Sequence, residues 1–493
     1  MMSLRTVGML FAALALVACG ADKTDPKVGT GGGGGAGGEA GSGGDGGTAG
    51  HGGGGQGGSA GEGSGGQGGT AGEGGGGQGG TAGEGGHGGD PQPINQVLGT
   101  VIDDRGKPMA GALAVLNHAF GFSQETDAEG KFSFDGVDVP YDLTLKFPSG
   151  DIVELRRLTR RDPRVARFDN ANGLSRATLT GTITGAQAPF PAGESILIST
   201  TGNDHACFEL QGPGAYSAEV RWFGPPSRSV DVVAAHVGLK ADGTIVYRAA
   251  GVREDVAMND EGNTSGLQIE LSSAPISTFQ TRFNATYGAY DNGKSSGVLS
   301  FDLHGARFTL AERFGGDTEL PNDADVELPS EGGRLALVGA DADGTIAIRV
   351  AKVTSAGATT IKFPQTQALK LLEPAEGATN VSRLPTLSWT PVNGAKSYWV
   401  EIVLNDTNQA HQYSLQYYLP GDVSSLTLAD SDLDEMKLVG STTYSWLVTA
   451  AITDGFLGAD DIADGRGMGF VRILDIEDLM GFRTGERSFT TAP

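Results

Sequence analysis

The folded part of this chain is constrained most by its pattern of short apolar runs, which begins after Pro91. The runs are rich in Val, Ile, Leu, Thr and Phe, and Gly or Asp-Gly pairs separate them. KADGTIVYRA (240–249) and DADGTIAIRV (341–350) show the hairpin signal most clearly, because an Asp-Gly turn is followed by alternating residues. No long amphipathic helix is visible, so the pattern predicts an all-β protein of several tandem β-sandwiches.

Glycine is concentrated before this region. Of the 60 residues from Gly31 to Asp90, 37 are glycine, and nearly all the others are small or polar. Such a segment cannot bury enough apolar surface to offset its conformational entropy. From Thr48 it repeats every 11 residues, which is not a multiple of three and so excludes the Gly-X-Y register of collagen. We expect residues 19–93 to be a disordered tether with an r.m.s. span of about 45 Å.

The net charge of the chain is −24, from 59 acidic and 35 basic side chains. Affinity for nucleic acid depends on cations that neutralise phosphates, so this balance argues against a nucleic-acid partner. The one basic cluster has six arginines in the twelve residues from Arg156 to Arg167. It predicts either an anion-binding stripe or, as we favour, an exposed strand pair whose arginines balance neighbouring carboxylates.

The first residues, MMSLRTVGMLFAALALVACGADKTD, have the layout of an export signal. Arg5 precedes an apolar stretch from Val7 to Val17, which is too short to cross a bilayer as a helix. The end of that stretch, Leu16-Val17-Ala18-Cys19, resembles the lipobox of bacterial lipoproteins. The resemblance implies that residues 1–18 are removed, that Cys19 is lipidated and that the lipid binds a membrane. Gly20 implies the outer membrane, at its surface or its periplasmic face.

Residues 94–170 resemble a carboxypeptidase regulatory-like domain, a small transthyretin-like sandwich. The segments that carry the resemblance are LGTVIDDRGKPMAGALAVL (98–116), TDAEGKFSFDGV (126–137) and PYDLTLKF (140–147). The resemblance implies that Gly106 and Pro108 lie in the first hairpin and that a turn at 127–130 precedes Phe132. Members of this family are generally non-catalytic, so no peptidase activity is implied.

Residues 367–493 resemble a fibronectin type III-like domain. The resemblance rests on LPTLSWTPVNGAKSYWVEIVL (384–404), TTYSWLVTAA (442–451) and ERSFTTAP (486–493). It implies that Trp389 fills the core and that Tyr444 bonds the backbone at the corner of the sandwich. The region between, 171–366, matches no family that we can name. We expect two further sandwiches there, at 171–274 and 275–366, or one larger sandwich.

A long insertion, residues 454–485, stands where the fibronectin type III pattern has a short loop. Long loops at the end of a sandwich are frequent functional sites. The insertion contains four aspartates close together, which are Asp454, Asp460, Asp461 and Asp464. They could offer oxygen ligands to calcium, but the EF-hand spacing is absent and we favour a solvated acidic loop.

Two motifs at residues 288–297 resemble catalytic loops. GAYDNGKS (288–295) matches the phosphate-binding pattern G-x-x-x-x-G-K-[ST], with Lys294 and Ser295 in the functional positions, and GKSSG (293–297) matches the nucleophile elbow. Both need a helix after the loop, whereas the residues from Val298 onward alternate as in a strand. We therefore interpret 288–295 as a hairpin tip and expect no cofactor.

Cys207 is the only cysteine besides Cys19, and it lies two residues after His205. On a strand both would share a face and could form a nucleophile pair, but a lone cysteine beside Phe208 is more often a buried hydrophobe. The histidines lack zinc-ligand spacing. We expect no catalytic residue and no metal.

These patterns predict a lipid-anchored, non-catalytic cell-envelope protein with a binding, adhesion or scaffolding role and a protein or glycan partner. The alternatives are a glycan-binding accessory protein or, less favoured, a secreted hydrolase with its site in 171–366. The glycan alternative depends on aromatic side chains that could stack on sugar rings, although core packing is their commoner role. They are Trp222, Trp399, Tyr413, Tyr417 and Tyr418.

Overall fold

The computed structural model describes residues 95–103, 106–166, 175–202, 207–222, 225–239, 245–291, 296–312, 323–365, 368–404, 414–428, 437–465 and 478–493. These described residues belong to one compact unit. Apart from a few helical turns, the regular structure of the described residues is β-strand, which confirms the predicted all-β class of β-sandwiches. We name the sandwiches the N-terminal, second, third and C-terminal modules.

Among the described residues, the N-terminal module has seven strands in two sheets. The strands are β1 (Gln96–Ile102), β2 (Leu113–Leu116), β3 (Ser123–Glu125), β4 (Lys131–Asp135), β5 (Tyr141–Lys146), β6 (Ile152–Leu158) and β7 (Arg164–Ala166). One sheet has the order β4-β1-β7 and the other has the order β6-β5-β2-β3. Gly106 lies in the turn after β1 and Pro108 bridges back to Ile102. The turn at 127–130 precedes Phe132, which is buried, so this expectation is confirmed. The expected first hairpin is wrong as a pairing of strands, because β1 and β2 lie in different sheets.

The second and third modules repeat this topology. The second has β8 (Ser175–Thr184), β9 (Glu194–Thr200), β10 (Cys207–Leu210), β11 (Gly214–Trp222), β12 (Ser227–Leu239), β13 (Ile245–Asn259) and β14 (Gly262–Glu270). The third has β15 (Thr278–Thr286), β16 (Ser296–Leu303), β17 (Ala306–Glu312), β18 (Asp323–Pro329), β19 (Gly333–Ala340), β20 (Ile346–Val353) and β21 (Gly357–Lys362). Their sheets are β11-β8-β14 with β10-β9-β12-β13, and β18-β15-β21 with β17-β16-β19-β20.

In all three modules the first strand therefore lies between an antiparallel fourth strand and a parallel seventh strand. The fifth and sixth strands form a hairpin, and the sixth is the edge of its sheet within the module. The two hairpins that the sequence predicts at Asp-Gly pairs are the hairpins of the fifth and sixth strands in the second and third modules. The turn of the first one lies outside the described residues, and in the second Gly344 has the positive φ that the turn requires.

The described part of the C-terminal module has nine strands and one short helix. They are β22 (Leu371–Glu373), β23 (Ala378–Val381), β24 (Thr386–Trp389), β25 (Ser397–Leu404), β26 (Ser414–Pro420), β27 (Ser425–Thr427), β28 (Thr443–Ala451), α1 (Ala459–Ile462), β29 (Asp478–Arg483) and β30 (Arg487–Thr491). Trp389 is buried, with its ring centroid 5.3 Å from that of Tyr398. The hydroxyl of Tyr444 accepts the Val439 N–H at 2.8 Å. Both implied roles are confirmed.

One sheet of 14 strands runs through three of the modules. The N-terminal module joins it where β6 pairs in parallel with β26, and the third module joins it where β20 pairs antiparallel with β29. The apolar cores are continuous as well. One cluster contains Leu155 from β6, Ile348 from β20 and Trp399 from β25, and a second contains Leu197 from β9 together with Phe301 and Trp389. The modules are therefore packed together rather than strung along the chain.

Candidate functional site

Several residues singled out in the sequence lie outside the described part of the chain. They are Cys19, His205, Lys294, Ser295 and Tyr413. Lipidation of Cys19 thus stays a prediction, and the disfavoured alternative of a Cys207–His205 nucleophile pair is not tested. The backbone of Cys207 begins β10 and pairs with Ser199 of β9, at the edge of the second module.

The loop that begins at Gly288 is not the hairpin tip that we expected. β15 pairs with β18 and β21, whereas β16 pairs with β17 and β19, so the loop crosses between the two sheets of the third module. A turn of 3-10 helix at 288–290 places Tyr290 in the core, where it packs on Phe363 and Phe482. The Tyr290 hydroxyl also accepts the Ala368 N–H at 3.1 Å. A strand, β16, follows this loop, as predicted.

The arginine-rich segment packs against the C-terminal module. Arg157 binds both oxygens of Asp422 at 2.8 and 2.9 Å, and Arg156 lies 2.5 Å from Glu154. Arg160 lies 3.6 Å from Asp162. Balance by carboxylates is confirmed for these three arginines, and Arg167 lies outside the described residues. The strand itself is not exposed as expected, because β6 is buried along most of its length where it is an inner strand of the long sheet. The Arg157 side chain, in contrast, is 54 % exposed.

The insertion at 454–485 is described at both ends, over 454–465 and 478–485. Our expectation of a solvated acidic loop holds for Asp454, whose side chain is 82 % exposed, but it is wrong for the apolar residues beside the aspartates. Phe456, Leu457 and Ile462 are buried in the core shared with the N-terminal module. Asp460 accepts the backbone N–H groups of Thr159 and Arg160 at 3.0 and 2.9 Å.

The same insertion returns as β29, which lies between two modules. Its residues pair with β20 of the third module on one side and with β28 of the C-terminal module on the other. The backbone of Arg483 has Ile346 and Thr449 as its register partners. The insertion is therefore the element that joins the sheets of the third and C-terminal modules. The sequence marked it as functional by its length alone and did not indicate this role.

A buried polar group lies at this joint. The Arg483 guanidinium stacks over the Trp399 ring, 5.4 Å from its centroid, and its Nη2 is 3.6 Å from Glu401 Oε2. Burial lowers the pKa of Arg483 and raises the pKa of Glu401. Burial also raises the pKa of Glu486 nearby. A desolvated pair of this kind tends to define geometry rather than to add stability.

A second polar group lies beside the joint of β6 and β26, and we call it the His118 cluster. His118 Nε2 is 3.8 Å from Asp142 Oδ2 and 3.6 Å from Glu154 Oε1. Glu154 is buried and is the register partner of Tyr417 on β26. The interaction with Asp142 is the main cause that raises the pKa of His118, and burial and, to a smaller extent, Arg156 oppose it. Burial opposes ionisation of Asp142, but His118 and the Arg157 N–H outweigh it, so the pKa of Asp142 is lowered.

A third polar group lies on the second module. Glu194 Oε1 binds Arg248 at 2.6 Å, and its other oxygen is 3.1 Å from His236 Nε2. His236 stacks on Phe190 with ring centroids 4.1 Å apart. The bond from Arg248 lowers the pKa of Glu194, whereas burial lowers the pKa of His236 despite the carboxylate. His236 is therefore favoured in its neutral form, held by Glu194 and the aromatic ring.

The aromatic side chains that could have contacted sugars are in the core. Trp222, Trp399, Tyr417 and Tyr418 are each at most 3 % exposed, so none offers a face to a ligand. Within the described ranges, no group of three or more His, Cys, Asp or Glu side chains could hold a metal ion. No helix in those ranges is both long and apolar enough to span a bilayer.

No protein-family model and no curated protein matches this chain. Among solved structures, it is similar to BcpA, the major pilin subunit of Bacillus cereus, with 12 % identity over 55 % of this chain and 99 % of that one, at a TM-score of 0.13. A DUF3823 family protein from Parabacteroides merdae has 11 % identity over 44 % and 100 %, at 0.16. The FN1-FN3 domains of chicken CNTN1 have 10 % identity over 64 % and 99 %, at 0.15. These TM-scores are too low to show a shared arrangement, so the architecture rests on the strands described above.

Proposed function

We propose that this protein is a lipid-anchored, non-catalytic scaffold of the bacterial cell envelope that presents a rigid binding unit at the end of a tether. The observation that carries the proposal is that three modules share one sheet and that the second module is joined to them through a shared apolar core. A unit of this kind keeps the relative positions of its surfaces fixed, which reduces the entropy lost when it binds a partner. Cys19 supplies the anchor and the glycine-rich segment supplies the reach.

The polar groups of the described residues support a non-catalytic role. Each of the three groups lies inside a module or at a joint between modules, where its charges pair with one another. Such an arrangement positions strands and offers no nucleophile to a substrate. The burial of the aromatic candidates argues against stacking on sugars, so we favour a protein partner over a glycan.

The anchor is tested by replacing each of the two cysteines in turn. The Cys19→Ser variant should move from the membrane fraction to the soluble fraction, because the acyl chains are lost. The Cys207→Ser variant is the matched control and should stay in the membrane fraction. Equal membrane association of the wild type and Cys19→Ser would contradict the anchor.

Orientation and binding need a second experiment on intact cells. Protease treatment followed by detection of the C-terminal module should remove the signal if the unit faces outward. Adhesion of wild-type cells to a protein-coated surface is then compared with adhesion of Cys19→Ser cells, and at least a several-fold loss is expected in the variant. Full protection from protease, with no difference in adhesion, would leave a periplasmic scaffold and overturn the adhesive role.

A further inference from the structure

The joint between the N-terminal and C-terminal modules connects parts of the chain that are far apart in sequence. The Ser414 N–H donates to Asp151 across it at 3.0 Å, and these two residues are 263 positions apart. Every copy of the chain thus carries both halves of one complementary surface. We propose that this joint also forms between two copies of the chain, with the N-terminal module of each copy docked on the C-terminal module of the other.

Both halves of the joint are well matched. The backbones pair in register over Ile152–Leu155 and Leu415–Tyr418. Ile152 is buried in the core of the C-terminal module, whereas Tyr418 and Ile462 are buried in the core shared with the N-terminal module. Separation of the two modules would expose apolar surface and unpaired strand edges on both of them. Surfaces of this kind associate readily with other chains.

Charge complementarity selects the other half of the same joint as that partner. Arg157 faces Asp422, and Asp460 accepts hydrogen bonds from the backbone of Thr159 and Arg160. A second copy supplies the same groups in the same geometry. The contacts made between copies would equal those made within one copy, which is the condition for exchange of an element between protomers.

The order of the chain favours such exchange during folding. The N-terminal half is complete more than 250 residues before the C-terminal half emerges, since Arg157 and Asp422 are 265 positions apart. During that interval the edge of β6 can meet the C-terminal module of a finished copy. Docking within the chain dominates while the concentration of copies is below the effective concentration of the two halves within one chain, and docking between copies gains as that concentration rises.

The test uses full chains in which Cys19 and Cys207 are replaced by Ser, so it does not depend on the lipid anchor. One chain carries Arg157→Cys and the other carries Asp422→Cys, and the two are refolded together and treated with a short bismaleimide. These thiols can be joined across the joint only if it forms between copies. The heterodimer should increase about tenfold relative to monomer when the protein concentration is raised tenfold, because pairing between copies is second order.

The control is a pair of similar exposure within one module. Arg176 and Glu261 form an ion pair at 3.1 Å with side chains that are 53 % and 52 % exposed, against 54 % and 65 % for Arg157 and Asp422. A mixture of Arg176→Cys and Glu261→Cys chains should give only the background of random collisions. A single chain with both Arg157→Cys and Asp422→Cys should cross-link internally, which verifies that the joint has folded and that the reagent spans it. A heterodimer yield equal to the control at every concentration, with that internal cross-link present, would overturn the proposal.

Discussion

Gly99 and Gly181 occupy the same position in the first strands of the N-terminal and second modules. Each is the register partner of an aromatic residue in the fourth strand, Phe132 for Gly99 and Tyr216 for Gly181. The Phe132 ring lies directly over Gly99, since a Cβ added at Gly99 would be only 1.9 Å from that ring. Because the two modules have the same topology, the shared glycine–aromatic pairing indicates that the first and fourth strands pack in the same way in both.

Gly181 allows a stricter test, since a Cβ there would be 1.8 Å from the carbonyl oxygen of Leu267. Backbone cannot move aside as a side chain can, so Gly181→Ala should lower the free energy of unfolding by about 1–3 kcal/mol. Gly212→Ala is the matched control, because an added Cβ there meets nothing within 4 Å. Denaturant unfolding of both variants measures the difference, and equal stabilities would show that the strands separate without cost.

His118 and His236 should give opposite pH dependences. The pKa of His118 is raised in the folded state, so its contribution to stability is present below the unfolded pKa of about 6.5 and is lost as the pH rises through the folded pKa. The pKa of His236 is lowered, so its contribution is present above about 6.5 and is lost as the pH falls through the folded pKa.

The measurement is the free energy of unfolding between pH 5 and 8 for the wild type, His118→Gln and His236→Gln. The gap between the wild type and His118→Gln should shrink as the pH rises, and the gap for His236→Gln should shrink as the pH falls. Each variant is the control for the other. Parallel pH curves for all three proteins would show that neither histidine changes its environment on folding.

At the scale of elements, the sixth strand of each repeated module is the edge that decides how modules join. β6 and β20 each pair with a strand of the C-terminal module. Among the described residues, β13 pairs with no strand of the C-terminal module, and its outer edge makes a single bridge, from Ala250 to Ser272. Its edge carries exposed Arg253, Glu254 and Asp255 at a bulge, with Asp255 in the left-handed region. Charges and bulges of this kind protect a sheet edge from pairing.

The repeated fifth and sixth strands are visible in the sequence as three similar segments. SGDIVELR (149–156), DGTIVYR (242–248) and DGTIAIR (343–349) start the sixth strand in each module. An Asp-Gly pair marks only the second and third as hairpins, because the first has its glycine before the aspartate. Alignment of all three predicts the topology of the middle region, because equal turns followed by equal alternation produce equal pairing.

The short helix α1 of the insertion holds the turn after β6 in place through the side chain of Asp460. Asp460→Ala should lower the free energy of unfolding by about 1–3 kcal/mol, because it leaves two backbone N–H groups without their acceptor. Asp454→Ala is the matched control in the same insertion. Its carboxylate is 82 % exposed and 3.4 Å from Lys396, so its loss should be nearly neutral. Equal effects of the two substitutions on thermal unfolding would show that Asp460 does not hold this turn in place.

At the scale of the whole molecule, shared cores should couple the unfolding of modules that are distant in sequence. The N-terminal and C-terminal modules share one apolar cluster, so we expect calorimetry of the wild type to show them unfolding in a single transition. Combining Asp460→Ala with Arg157→Ala should separate the N-terminal module as a transition about 5 °C lower. The pair Asp454→Ala with Arg176→Ala should leave the single transition intact. A separate N-terminal transition already present in the wild type would refute the coupling.

The sequence by itself determined what depends on local chemistry. Alternating apolar residues and glycine turns predicted the all-β class, and the resemblance of residues 367–493 to a fibronectin type III-like domain implied the positions of Trp389 and Tyr444 in the core. Only the tertiary structure decided which edges meet. Arg157 pairs with Asp422, and β29 joins β20 to β28, so contacts that build the unit link distant parts of the chain. A strand shows its inward face in its own alternation, but the identity of the strand beside it depends on how whole modules pack, which no local pattern records.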